Sequence, residues 1–151
     1  MDRLLAAQAI VWLIESVTGS TIGEIAEEYG FDMSVPFGDT DDKAATFLKA
    51  AGISEGVDDN RYDPTGTFTR AQMVTMLGRM AKTLFDVDMS DYPKGSDLFT
   101  DVPAWADDYV GWAGAAGITQ GVGGGRFDST GTLTNQHTNI FAFRAFGYFT
   151  R

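Results

Sequence analysis

Apolar residues recur along this chain at helical spacing, in short blocks that glycine closes. Met73, Met76, Leu77, Met80, Ala81 and Leu84 lie three and four apart, which predicts a helix with one apolar face. Thr69-Arg70-Ala71-Gln72 predicts its start. The Thr hydroxyl can cap a free backbone N–H while Gln72 reaches back to the cap residue. Trp105, Tyr109, Trp112 and Ala113 predict a second helix over 103–116, with Pro103 in its first turn and Gly117 at its stop. Ala44, Phe47, Leu48 and Ala51 predict a shorter one ending at Gly52, and Thr21-Ile22-Gly23-Glu24 opens another that ends at Gly30. Trp12, Leu13 and Val17 continue an apolar face near the start, and Phe141, Ala142, Ala145 and Phe146 form one near the end.

The blocks repeat. Gly52-Ile53-Ser54-Glu55-Gly56 aligns with Gly117-Ile118-Thr119-Gln120-Gly121. Held at that offset, Arg61-Tyr62-Asp63 falls on Arg126-Phe127-Asp128, and Thr65-Gly66-Thr67-Phe68-Thr69 on Thr130-Gly131-Thr132-Leu133-Thr134. Phe37-Gly38-Asp39 matches Phe99-Thr100-Asp101 after a short gap. A third, partial copy opens the chain, because Ala7-Gln8-Ala9-Ile10-Val11-Trp12-Leu13 can be laid on Ala71-Gln72-Met73-Val74-Thr75-Met76-Leu77. Ordered matches at one register mark a repeat protein whose helix–loop–helix units bury their faces on one another.

Composition narrows the function classes. Of 151 residues, 44% are hydrophobic, enough for a core, and 18 are Gly, which favours tight turns. The net charge of −10 argues against nucleic acid as a partner, since no phosphate-neutralising patch is visible. An anionic ligand must be held by a few local cations. With no Cys, disulfides and thiolate metal sites are excluded. No apolar run approaches the length of a membrane span, and Met1-Asp2-Arg3 does not begin a signal peptide. The reading favoured is an excised piece of a longer secreted protein.

The motifs together resemble an array of the S-layer homology (SLH) family. They are Phe99-Thr100-Asp101, Trp105-Ala106, Gly117-Ile118-x-x-Gly121, Tyr62-Asp63-Pro64 and Thr69-Arg70-Ala71-Gln72. The resemblance divides the chain into the second helix of a truncated first repeat (1–20), a short helix and connector (21–36), a repeat (37–85), a connector (86–98) and a last repeat (99–151). It implies an all-α fold in which helix-loop-helix SLH repeats pack as a pseudo-threefold helical bundle. It further implies an extracellular, non-catalytic module on the bacterial cell surface. Family members bind secondary cell-wall polysaccharide, often pyruvylated, in grooves between repeats, and the Arg of the Thr-Arg-Ala motif contacts the acidic group. The alternative is a degenerate SLH fold serving as a protein–protein or self-assembly module.

The ligand-binding residues carried over are Arg70, Thr69, Gln72, Gly52, Gly56, Gly117 and Gly121. Trp105 and Tyr109 join them as partly exposed platforms for sugar faces, with Tyr62 and Phe127 as further aromatics and Trp112 and Phe127 read chiefly as core. Arg70 has its own physical rationale: a planar fork beside the free N–H groups of a helix start suits a carboxylate. The last copy reads Thr134-Asn135-Gln136-His137, and the first reads Leu5-Ala6-Ala7-Gln8, so at most one groove keeps the cation. Arg3 stands two residues or more out of register. No catalytic residue, metal site or cofactor is expected. His137 has no companion nucleophile, the acidic loop Asp58–Asp63 lacks EF-hand spacing, and Gly121–Gly125 lacks the Lys of a phosphate loop. The aromatic tail, 141–149, surrounds more than one helical face. Either it is the central helix of the bundle or part of it meets another chain, and the missing front half of the first copy points the same way, to a homo-oligomer or an upstream segment completing the first repeat.

Overall fold

The computed structural model describes residues 2–151. Every regular element among them is helical. The order is α1 (Arg3–Thr18), α2 (Ile22–Tyr29), α3 (Lys43–Ala50), α4 (Arg70–Phe85), α5 (Gly95–Leu98), α6 (Asp107–Ala115) and α7 (Asn135–Phe149), with 3-10 turns at Met89–Asp91 and Ala104–Ala106. The fold is all-α. None of the described helices is both long and apolar enough to cross a membrane by itself.

The chain divides into two compact units, Met1–Thr67 and Phe68–Arg151. That boundary lies inside the repeat read at 37–85. Each unit therefore combines the second helix of one repeat with the first helix and loop of the next, and the second unit also holds α7.

In the first unit α1 packs on α3, and α2 touches both. Asp2 caps α1 by accepting from Leu5 N–H at 2.8 Å. Thr21 and Glu24 close a full capping box on α2. Ile10, Leu13, Ile14, Phe47, Leu48, Ile53 and Tyr62 are fully buried, each worth about 1.5–3 kcal/mol of transfer free energy. The Tyr62 hydroxyl donates to Arg3 O at 3.0 Å, which satisfies its buried polar tip.

The second unit has the same plan. Thr69 and Gln72 make the expected capping box at α4, with bonds of 3.2 and 2.9 Å. The helix read at 103–116 begins as the 3-10 turn and becomes α only at Asp107. α4 packs on α6 through Gly78, where an added Cβ would lie 2.3 Å from the Tyr109 ring. Fully buried Trp112 meets Tyr148 edge-on at 5.5 Å, and Phe85 stacks on Phe149 at 4.5 Å. These contacts account for much of the aromatic tail.

Backbone bonds make the starts of α1 and α4 equivalent. Arg3 N donates to Gly66 O (2.9 Å) and Leu4 N to Pro64 O (3.0 Å); Arg70 N donates to Gly131 O (3.0 Å) and Ala71 N to Ser129 O (3.2 Å). Gly52 and Gly117 both take left-handed backbone just after α3 and α6, with φ of 72° and 78°. The first copy is thereby corrected. Asp2, not Leu5, is its cap residue, and Arg3 stands where Arg70 stands. The proposed alignment of Ala7 with Ala71 was three residues off, because Ala-rich helix interiors carry little register information. In the corrected register Trp12 falls on half-buried Arg79 rather than on the core, and it is exposed.

Candidate functional site

The start of α4, the loop after Ile118 and one side of α7 enclose a cleft of about 190 Å³ in the second unit. It is lined by Arg70, Thr119, Gln120, Gly121, Val122, His137, Ile140, Phe141 and Arg144. No carboxylate lines it. Arg70 forms its floor. The residue is only 6% exposed, and its Nε donates to Phe127 O at 2.9 Å. The guanidinium lies 4.9 Å from the Phe127 ring centre and 5.3 Å from that of Phe141, in cation–π geometry. Burial lowers its pKa, and the charges of Asp128 and Asp101 partly oppose that shift.

Among the described residues, the two terminal nitrogens of Arg70 donate to nothing and form no ion pair. A desolvated guanidinium in this state favours an anion that fills its fork. His137 Nδ1 is also buried without a partner. Gly121 has φ of 74°, and a Cβ there would meet both Arg126 O and the Phe99 ring at 2.6 Å. The missing side chain lets the loop backbone close on Arg126 O and the Phe99 ring.

Arg3 shows the contrasting arrangement. Its Nη1 pairs with Asp63 at 3.2 Å, so the loop's own carboxylate fills the fork. The ion pairs of the two loops also differ at one position. Asp58 pairs with Arg61 in the first unit and leaves Asp63 to Arg3. Gly123 stands in Asp58's place in the second, so Arg126 turns instead to Asp128 (3.7 Å) and Asp101 (4.0 Å). Asp128, the counterpart of Asp63, keeps the same place against its glycine (a Cβ on Gly131 would lie 2.3 Å from it, as one on Gly66 would lie 2.2 Å from Asp63), and it is the Arg70 guanidinium that turns elsewhere, with Nε on Phe127 O. Arg126→Ala should leave the charge of Asp128 uncompensated beside Arg70 and weaken anion binding about two- to threefold, the scale of an exposed ion pair. Adding Asp128→Asn should restore it. Titration of the two variants with a carboxylated sugar checks this, and equal affinities throughout would refute it.

Of the residues predicted for the site, the cleft gathers Arg70 and Gly121. Thr69 and Gln72 are turned onto backbone as the helix cap. Gly117 ends α6 and does not line the cleft. Gly52 and Gly56 play the parallel turn roles in the first unit, Gly56 against Phe37 and Arg61 O. Trp105 is exposed and Tyr109 packs on Gly78, both outside the cleft. Tyr62 and Phe127 are fully buried, as is Trp112, and offer no sugar platform. Sequence reasoning missed Arg144, Thr119 and Ile140, and it read His137 as surface helix. Arg144 follows His137 by seven residues, two helical turns along one face of α7, a spacing that could have suggested it. Among the described residues no group of His, Asp or Glu could hold a metal ion. Asp58 and Asp63 in the acidic loop are spent on Arg61 and Arg3.

The family model of the S-layer homology domain matches residues 37–74 and 98–134. A cell surface protein of Thermoanaerobacter kivui is 35% identical over 127 residues, covering 79% of this chain and 16% of its own length. The chain thus spans about a sixth of that relative. No solved structure matches. Two matched repeats, joined by equivalent caps, glycine turns and carboxylate-bound loops, establish that the chain belongs to the S-layer homology domain family.

Proposed function

We propose that this chain is a non-catalytic module that anchors a surface protein to the bacterial cell wall by binding an acidic wall polysaccharide. The observation that carries the reading is the unpaired fork of Arg70, buried in a cleft that holds a second Arg and no carboxylate. A protein with net charge −10 repels polyanions on average, so binding must come from such a focused spot. The carboxylate of a pyruvylated sugar fits the chemistry. Its two oxygens match the fork, and its compact ring matches a cleft of about 190 Å³. Family membership and a relative named as a cell surface protein support placement outside the cell.

Sedimentation with purified wall polysaccharide tests the proposal. The protein should pellet with polymer that carries its acidic substituents and stay in solution with polymer stripped of them. Retention that is the same on both polymers would remove the acidic group from the recognition and the proposal with it.

A further inference from the structure

The helices α2, α4 and α7 each start from a threonine cap, and the third residue of each is used differently. In α2 and α4 that residue, Glu24 or Gln72, turns back to the cap backbone and closes a capping box. In α7 it is His137. The Thr134 hydroxyl accepts from its backbone N–H at 3.1 Å, but the imidazole does not close the box. The ring lines the cleft instead, and its Nδ1 is buried without a hydrogen-bond partner. A position that serves the helix cap elsewhere is thus released to the site.

Other polar heads of the cleft have protein partners. Thr119 Oγ1 accepts from Gly121 N at 3.2 Å, Arg70 Nε donates to Phe127 O, and Arg144 Nη1 donates to Ile118 O at 3.5 Å. With Nδ1 of His137 unpartnered, nothing on that edge of the ring fixes which nitrogen carries the proton. The charges around the ring make that choice depend on the ligand. Arg70 of α4 and Arg144 of α7 face the same cleft, and the loop 119–122 contributes no titratable side chain. Asp101 and Asp128 act on the charge of Arg70 but do not line the cleft. In the empty cleft a proton on the imidazole would add a third positive charge that no carboxylate faces. An acid seated on the Arg70 fork supplies that carboxylate.

We infer that His137 is a further ligand-binding residue of this cleft, which takes up a proton from solvent as the acid binds and then donates an imidazolium N–H to it. The inference rests on the reading of the cleft as an acid site and adds to it a residue and a dependence on pH. The proton joins an imidazole nitrogen and no covalent bond breaks. Because the filled cleft holds more protons than the empty one, affinity rises as pH falls, and anchorage tightens as the surroundings acidify.

Titration calorimetry with a methyl hexoside that carries a pyruvate ketal tests this. The carboxylate of the sugar and both arginines stay ionised from about pH 5.5 to about pH 8, so the imidazole is the group of the cleft that titrates in that window. Affinity should rise about 10-fold from the upper to the lower end, the scale of one added charge-assisted hydrogen bond. Repeating the titration near pH 6.5 in two buffers of different ionisation enthalpy should show net proton uptake, up to about one per sugar bound. His137→Gln gives α7 the residue that closes the box on α4, so the variant should fold at least as well. Its affinity should be level across the window, and its proton uptake should vanish. Wild-type binding that is equally tight at both ends, with no proton taken up, would overturn the inference and leave the acid-binding reading standing. Uptake that survives in His137→Gln would place the proton elsewhere and refute it as well. A sugar that binds at neither pH would sink the reading of the cleft and this inference with it.

Discussion

Arg70→Ala is expected to cut retention on acidic wall polymer by about 10- to 100-fold, the range of a lost charge-assisted pair with a carboxylate. The chain should stay folded. Two small losses accompany the change, the Nε bond to Phe127 O and the stacking on Phe127 and Phe141. Against them stands the removal of a desolvated, unpaired charge. These terms are of similar size, so the unfolding midpoint should move little while binding collapses. Arg70→Lys separates charge from shape. It keeps a cation but loses the planar fork, and it should recover only part of the affinity. Arg144→Ala should cost less than Arg70→Ala, since Arg144 is half-buried and already shares its guanidinium with Ile118 O at 3.5 Å. The comparable change at Arg3 should leave binding unaltered, because Asp63 already occupies that fork. Binding isotherms of the four variants on one polymer decide the matter. Loss at Arg3 equal to that at Arg70 would show that charge alone, and not the open fork, is read.

Much of the helical plan could be read directly from residue order, and the reasons are local. Thr69 and Gln72 specify their own cap, and Thr21 with Glu24 does the same, because a capping box needs only four consecutive residues. Gly52 and Gly117 mark helix ends because few residues other than glycine adopt that backbone. The start of α1 was harder. Asp2 is a good cap, but it is followed by Arg3-Leu4-Leu5-Ala6-Ala7, where sliding by three residues costs little in apparent pattern. Only the loop carbonyls of Pro64 and Gly66, some sixty residues away, pin the register. The cleft was partly legible for a related reason. Arg70 stands out in its motif, but its open fork follows from the way its guanidinium turns, with Nε on Phe127 O and the plane between Phe127 and Phe141. The turn of one side chain among distant partners leaves no periodic trace. Nor could helical spacing alone distinguish the exposed Phe143 from its buried neighbours Phe141 and Ala142. The difference depends on which stripes other helices cover.

Asp101→Ala should destabilise the second unit by about 2–4 kcal/mol, the cost of stripping charged acceptors from backbone donors that no longer have partners. Its carboxylate accepts from Phe127 N at 2.7 Å, Asp128 N at 2.8 Å and, more weakly, Ser129 N at 3.4 Å. Those bonds hold the loop that places Phe127 beneath Arg70, so stability and binding should fall together. Asp101→Asn keeps one acceptor oxygen and should lose less. The same bonds make the fold acid-sensitive. Burial raises the Asp101 pKa, but the three backbone donors outweigh it and hold the carboxyl below its ordinary value. Asp39 is lowered likewise, first by Tyr62 N–H. A depressed folded pKa contributes stability that is complete above the unfolded value near 4 and is lost as pH falls through the folded one. Wild-type stability should therefore be level down to about pH 4–5 and decline below it, whereas Asp101→Ala should start lower and decline less steeply. Urea unfolding between pH 2 and 7 measures both slopes. Parallel curves would mean that the loop is held by something other than this carboxylate.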